Sequence, residues 1–160
     1  AFSDYPLVFA GNEVLGYSLR GCRRNKTPDR YAPDGTLFHQ ATDSFTFVYG
    51  ECTIPEGAPS CPVPVAIIVY PPCEEPIYPG AVSKTVAVRG IDAYVKNDGS
   101  IRMEEPTYKL TIYAPGLTFD ERSKNAITVA ESLLAANDLA APLTAGAPLS
   151  KELGVARSCR

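Results

Sequence analysis

The chain has 160 residues, 45% of them apolar, and a formal net charge of −3. That length suits a single domain with a core large enough to fold without staples. The mild acidity argues against a general nucleic-acid partner, and no apolar run is long enough for a membrane-spanning helix.

The chain begins at Ala1 without an initiator Met, which suits a processed or trimmed product; a targeting segment or anchor, if there is one, lies upstream of Ala1. Fifteen Pro and twelve Gly point to many turns, and nine Tyr with six Phe favour half-buried strands. Tyr5 to Ala10 and Val14 to Arg20 read as two strands of a hairpin joined by Gly11-Asn12-Glu13. The turn-rich stretch from Gly21 to Asp43 reads as a long loop. Ser44 to Tyr49 alternates, with Phe45, Phe47 and Tyr49 on one face, and predicts a strand. Val63 to Tyr70 is an apolar run suited to one buried strand, with Pro64 tolerated near its start.

The next segment predicts an antiparallel meander. Lys84 to Arg89 and Ile91 to Lys96 flank Gly90, Asn97-Asp98-Gly99 signals a turn, and Ile101 to Glu104 precedes Tyr108 to Ala114. Thr118 and Glu121 have capping-box spacing and open one helix, expected over Glu121 to Asn137. Its apolar stripe is Ile127, Ala130, Leu133 and Leu134. The fold class expected is α+β: a mainly antiparallel sheet with this helix on one face. Residues 1–137 form the domain, and 138–160 an Ala/Leu/Pro-rich tail docked through Leu139, Leu143, Leu149 and Leu153 on the domain or on a partner.

Cys22, Cys52, Cys61, Cys73 and Cys159 include no C-x-x-C pair, and His39 is the single histidine. Disulfides in an oxidising compartment therefore fit better than a metal site. Cys52 and Cys61 bracket a segment in which Pro and Gly let the chain double back, making them the first-choice pair. Closing that loop would contribute about 2–3 kcal/mol in the chain-entropy model. The odd count leaves at least one cysteine unpaired or bonded outside the chain. No nucleophile–base signature accompanies His39, the carboxylate pairs Glu74-Glu75 and Glu104-Glu105 sit in turns beside prolines, and no cofactor motif is present. Arg20, Arg23, Arg24, Lys26 and Arg30 make a local basic patch in an acidic chain. It could meet a protein partner, an anionic surface polymer or lipid headgroups.

The order GNEVLGYSL, FVYGEC, APSCPVPVAI and PPC resembles a group of bacterial envelope proteins of undetermined activity, chiefly through Tyr49-Gly50-Glu51-Cys52. Val86 to Leu134 resembles a C-terminal unit of bacterial lipoproteins and of envelope domains associated with anti-sigma factors. The residues that carry it are Gly90, Ile91, Ala93, Tyr94, Tyr108, Leu110, Ile112, Ala130, Glu131, Ser132 and Leu133. It departs in having Met103 near the place of the usual Trp. Both resemblances imply a non-catalytic extracytoplasmic domain. The function expected is thus a binding or structural module, such as a subunit of a surface assembly. A carrier of small apolar ligands is the first alternative, and an enzyme using Cys or His39 chemistry the second.

Overall fold

A computed structural model describes residues 4–39, 42–52, 62–74, 77–141 and 143–149. In chain order its strands are β1 (Val8–Phe9), β2 (Glu13–Val14), β3 (Tyr17–Thr27), β4 (Arg30–Tyr31), β5 (Leu37–His39), β6 (Thr42–Tyr49) and β7 (Val65–Tyr70). After them come β8 (Val82–Val88), β9 (Ile91–Lys96), β10 (Ile101–Glu104) and β11 (Lys109–Tyr113), then helix α1 (Phe119–Glu131) and β12 (Leu134–Ala135). Eight strands form one sheet in the order β2-β3-β6-β7-β11-β10-β9-β8, and every pairing is antiparallel. The α+β class expected from the strand periodicities and the single capped helix is the one observed.

Alternation decides which face of the sheet is covered. Phe45, Phe47 and Tyr49 of β6, Val65, Ile67 and Val69 of β7, and Leu110 and Ile112 of β11 all point to the core. They are joined there by Ile101 and Met103 of β10 and Ala93 and Val95 of β9. Helix α1 closes this face against β11, β10 and β8, contributing Ala126, Val129 and Ala130. The capping box forms as its spacing predicts: the Thr118 hydroxyl accepts from Glu121 N, and the Glu121 carboxylate accepts from Thr118 N.

Three local expectations are corrected. The first hairpin turns at Leu15-Gly16 (φ 52° and 79°) and joins β2 to β3, not at Gly11 to Glu13. Both central residues are left-handed, as a two-residue turn that matches strand twist requires. Strand β1 pairs with β12 instead, and the Asn137 amide ties Leu7 N to Tyr5 O. The segment read as a loop from Gly21 is strand for seven further residues, because β6 pairs with β3 along its whole length. The helix ends at Glu131, well before Asn137. Leu133 is buried beyond the helix end and Leu134 belongs to β12, so the stripe assigned to one helix is shared with a return strand.

Of the two destinations expected for the tail leucines, the core of this chain takes Leu143 and Leu149, which are 6% and 4% exposed. These two therefore offer no surface to a partner. Leu139 is half-buried in a single 3-10 turn, and Leu153 lies outside the described residues.

Candidate binding surfaces: the sheet edge and a cup on its open face

Among the described residues β3 is the longest strand, and it is exposed from Arg20 to Lys26. One edge pairs with β6. The other pairs with β2 only at Tyr17 and Ser18, so among the described residues the edge from Gly21 onward is open. The basic residues that looked like one patch are divided by the pleat. Register places Arg24 opposite Phe45 and Lys26 opposite Asp43, while Arg23 lies opposite Thr46 on the other face. Two of the five cations are already paired: Arg20 with Glu51 at 2.6 Å, and Arg24 with both carboxylate oxygens of Asp43 while stacking on the Phe45 ring at 5.7 Å. Arg23, Lys26 and Arg30 form no ion pair among the described residues. The edge therefore presents cations on both of its faces.

The second surface lies on the sheet face opposite α1, where Tyr70, Arg102, Thr111 and Tyr113 project. The connector after β7 crosses this face, held by Ile77 N donating to the Glu104 carboxylate at 2.9 Å and Lys109 Nζ donating to the Glu74 carbonyl. Between connector and sheet is an open cup of about 290 Å³. Arg102 forms its floor and is 7% exposed. Its guanidinium stacks on Tyr70 at 4.7 Å, donates to Thr111 Oγ1 at 3.2 Å and lies 3.5 Å from Glu104. Lys96 stacks on Tyr113 at 5.6 Å and pairs with Asp98 at 3.8 Å. Burial raises the Tyr70 hydroxyl above the ordinary tyrosine value, with the Arg102 cation pulling the other way. Burial likewise lowers Lys109, opposed by Glu104. Tyr78, 76% exposed, forms the rim, and Glu74 lines the wall.

The sequence reading passed over this cup. Its residues come from β7, the connector, β9, β10 and β11, and each strand residue alone is an ordinary outward position. The one local signal was Arg102 in the apolar context Ile101-Arg102-Met103.

Cys22 is the free thiol among the described residues, and burial raises its pKa. That direction is opposite to the lowered value of an activated nucleophile. The side chain of His39 and all of Cys61 lie outside the described residues, so the His39 chemistry and the Cys52–Cys61 bridge fall outside them too. Among the described residues no group of His, Cys, Asp and Glu could hold a metal ion, and no helix is long and apolar enough to cross a membrane.

No protein-family model, curated protein or solved structure matches the chain.

Proposed function

We propose that this protein is a non-catalytic binding module of the extracytoplasmic space, a subunit of a surface assembly that takes an extended acidic segment of a partner along the open edge of β3. The observation that carries this reading is the edge itself: exposed, unpaired from Gly21 onward among the described residues, and cationic on both faces. An open edge supplies backbone donors and acceptors for an added strand, and side chains alternating to either face supply specificity. Cations on both faces suit a strand whose acidic residues also alternate. A lipid or polymer surface would meet one face only. Two copies joined through β3 would place like charges opposite each other, which disfavours self-pairing there.

The oxidising location rests on the cysteines. Cys22 is a free thiol among the described residues, and the odd count of five cysteines without a C-x-x-C pair keeps Cys52–Cys61 as the first-choice bridge of this reading. The apolar-carrier alternative gains nothing from the two cavities on the open face. The cup on the open face is lined by charge, and a second cavity of about 230 Å³ beside it is lined by Asp92, Glu104 and Glu105.

The test is hydrogen exchange of the protein with and without a peptide of Thr-Glu-Glu-Thr repeats, which places Glu on both faces of an added strand. Added amide protection confined to residues 21–27 is expected, weakening as salt rises. The double variant Arg23→Glu, Lys26→Glu should remove it without changing the melting temperature, since both side chains are exposed. Protection unaltered by charge reversal would sink the proposal, as would its absence.

A further inference from the structure

The cup between the connector and the open sheet face is a built site that the β3 edge does not use. Three properties limit what it can hold. First, its floor is the almost fully buried Arg102 beside the buried Thr111, so a purely apolar ligand would strand polar groups without water. Second, two of its three tyrosine rings are already stacked by cations of the protein itself: Tyr70 by Arg102 and Tyr113 by Lys96. A cationic ligand entering the cup would meet these like charges instead of free ring faces. Third, each of these cations lies close to a carboxylate, Arg102 to Glu104 and Lys96 to Asp98, so the cup has no surplus of positive charge for a small anion.

What remains on offer is a set of neutral-ligand contacts. Tyr78 stands largely exposed at the rim, and Tyr113, which also lines the cup, is 38% exposed. Glu74 Oε2 is buried, lines the cup and has no hydrogen-bond partner among the described residues, so it seeks a donor. Thr111 and the tyrosine hydroxyls both donate and accept. Aromatic faces at the rim, a carboxylate acceptor on the wall and a guanidinium at the floor match a ring with C–H groups on its faces and hydroxyls at its edge. We propose that this cup binds one unit of a neutral saccharide, with the uncovered Tyr78 ring against a sugar face and Glu74 accepting from a hydroxyl. The volume of about 290 Å³ has room for one sugar ring, and the open mouth lets a chain continue past it.

The experiment titrates ¹⁵N-labelled protein with cellotriose, chitotriose and mannotriose. At least one trisaccharide is expected to give saturable amide shifts centred on Tyr70, Lys96, Arg102 and Tyr113, with Kd of about 1 mM or tighter. The chain has no Trp, so a change in tyrosine fluorescence provides an independent readout. Tyr78→Ala should weaken binding about tenfold or more while leaving the melting temperature unchanged, because its ring is exposed. Glu74→Gln should weaken it as well. The proposal is overturned if no trisaccharide shifts these amides, if shifts centre elsewhere, if Tyr78→Ala and Glu74→Gln both bind like the parent, or if benzoate or tetramethylammonium saturates the cup while sugars do not. The β3 edge shares none of these residues, so either proposal can fail alone.

Discussion

Arg89 occupies the first position of the turn between β8 and β9 at φ 51°, a conformation that costs an ordinary side chain about 1 kcal/mol or more. Its guanidinium explains why Arg is found there. It donates to Leu133 O at 2.8 Å, Ala147 O at 2.5 Å and Thr144 O at 2.5 Å, and reaches Ala130 O at 3.3 Å. One buried cation thus satisfies the carbonyls of the helix end and of the returning tail, and burial lowers its pKa against the pull of Glu131. Arg89→Met should lose roughly 2–4 kcal/mol, because several buried acceptors lose a charged donor at once; urea unfolding would measure it. Tyr108 presents the opposite case. Its ring is fully buried, yet its hydroxyl has no hydrogen-bond partner among the described residues, and burial raises its pKa. Tyr108→Phe removes that unsatisfied group and should raise stability by about 1 kcal/mol; a lower melting temperature would contradict this. Tyr49 is a buried tyrosine with a use, its hydroxyl accepting from Ala10 N at 2.8 Å. Burial pushes its pKa from 10.0 up to about 12. The folded state therefore holds this proton more tightly than the unfolded chain does. Its contribution is fully present below about pH 10 and is lost as pH rises toward about 12, a decline that alkaline unfolding of Tyr49→Phe should show reduced.

At the scale of elements, the helix N-terminus and the end of β6 show how local chemistry sets boundaries. The Thr118–Glu121 capping box was legible from spacing alone, since both partners lie within one turn. The Glu121 carboxylate also accepts from the amides of Thr118 and Leu117, which holds its pKa below the ordinary value. That stabilisation is present above the unfolded glutamate pKa and fades as pH falls through the lowered folded value. Thr118→Ala should cost about 1 kcal/mol in urea unfolding. Gly50, which ends β6, has φ 81°, and an added Cβ would stand 2.8 Å from both the Pro64 ring and the Tyr17 ring. Gly50→Ala should therefore lower the melting temperature by more than a surface substitution would. A variant as stable as the parent would show that β3 and β7 yield there easily. The helix end and strand β3 were not legible. Leu133 and Leu134 continue a helical period in sequence, but the chain leaves the helix because Leu134 can pair with Phe9, some 125 residues earlier in the chain. Arg23 to Lys26 look like a solvated loop until β6 supplies the hydrogen-bonding partner.

For the whole molecule, the closing of the core is a joint act of both ends of the chain. Tyr5, Leu7 and Val8 from the start, and Ala140, Leu143 and Leu149 from beyond the helix, are all buried in the one cluster. Leu149 N donates to Arg89 O at 3.0 Å, which fixes the returning segment on the β8–β9 turn. A tail read as a possible partner surface is thus part of the domain as far as Leu149. Leu143→Ala should cost about 2–5 kcal/mol by the usual sum of lost transfer energy and residual cavity. Truncation at Asp138 should lower the melting temperature further, and a truncated chain that melts like the parent would show that these leucines are passengers.

Composition and periodicity by themselves determined the α+β class, the core face of β6, the Asp98-Gly99 turn and the capping box that opens the helix. Each of these is a relation among residues close in sequence, where a period of two, a cap or a turn dipeptide states its own geometry. The tertiary structure alone decided the rest: that β1 joins β12, that a basic stretch is an open edge with cations on both faces, that Arg89 clamps the tail, and that Tyr70, Glu74, Tyr78, Lys96, Arg102, Thr111 and Tyr113 enclose a cup. These relations join residues far apart along the chain. An outward-facing position on a strand has the same local pattern whether it meets water or a neighbour, so the pairing of the strands must be known before the site can be seen.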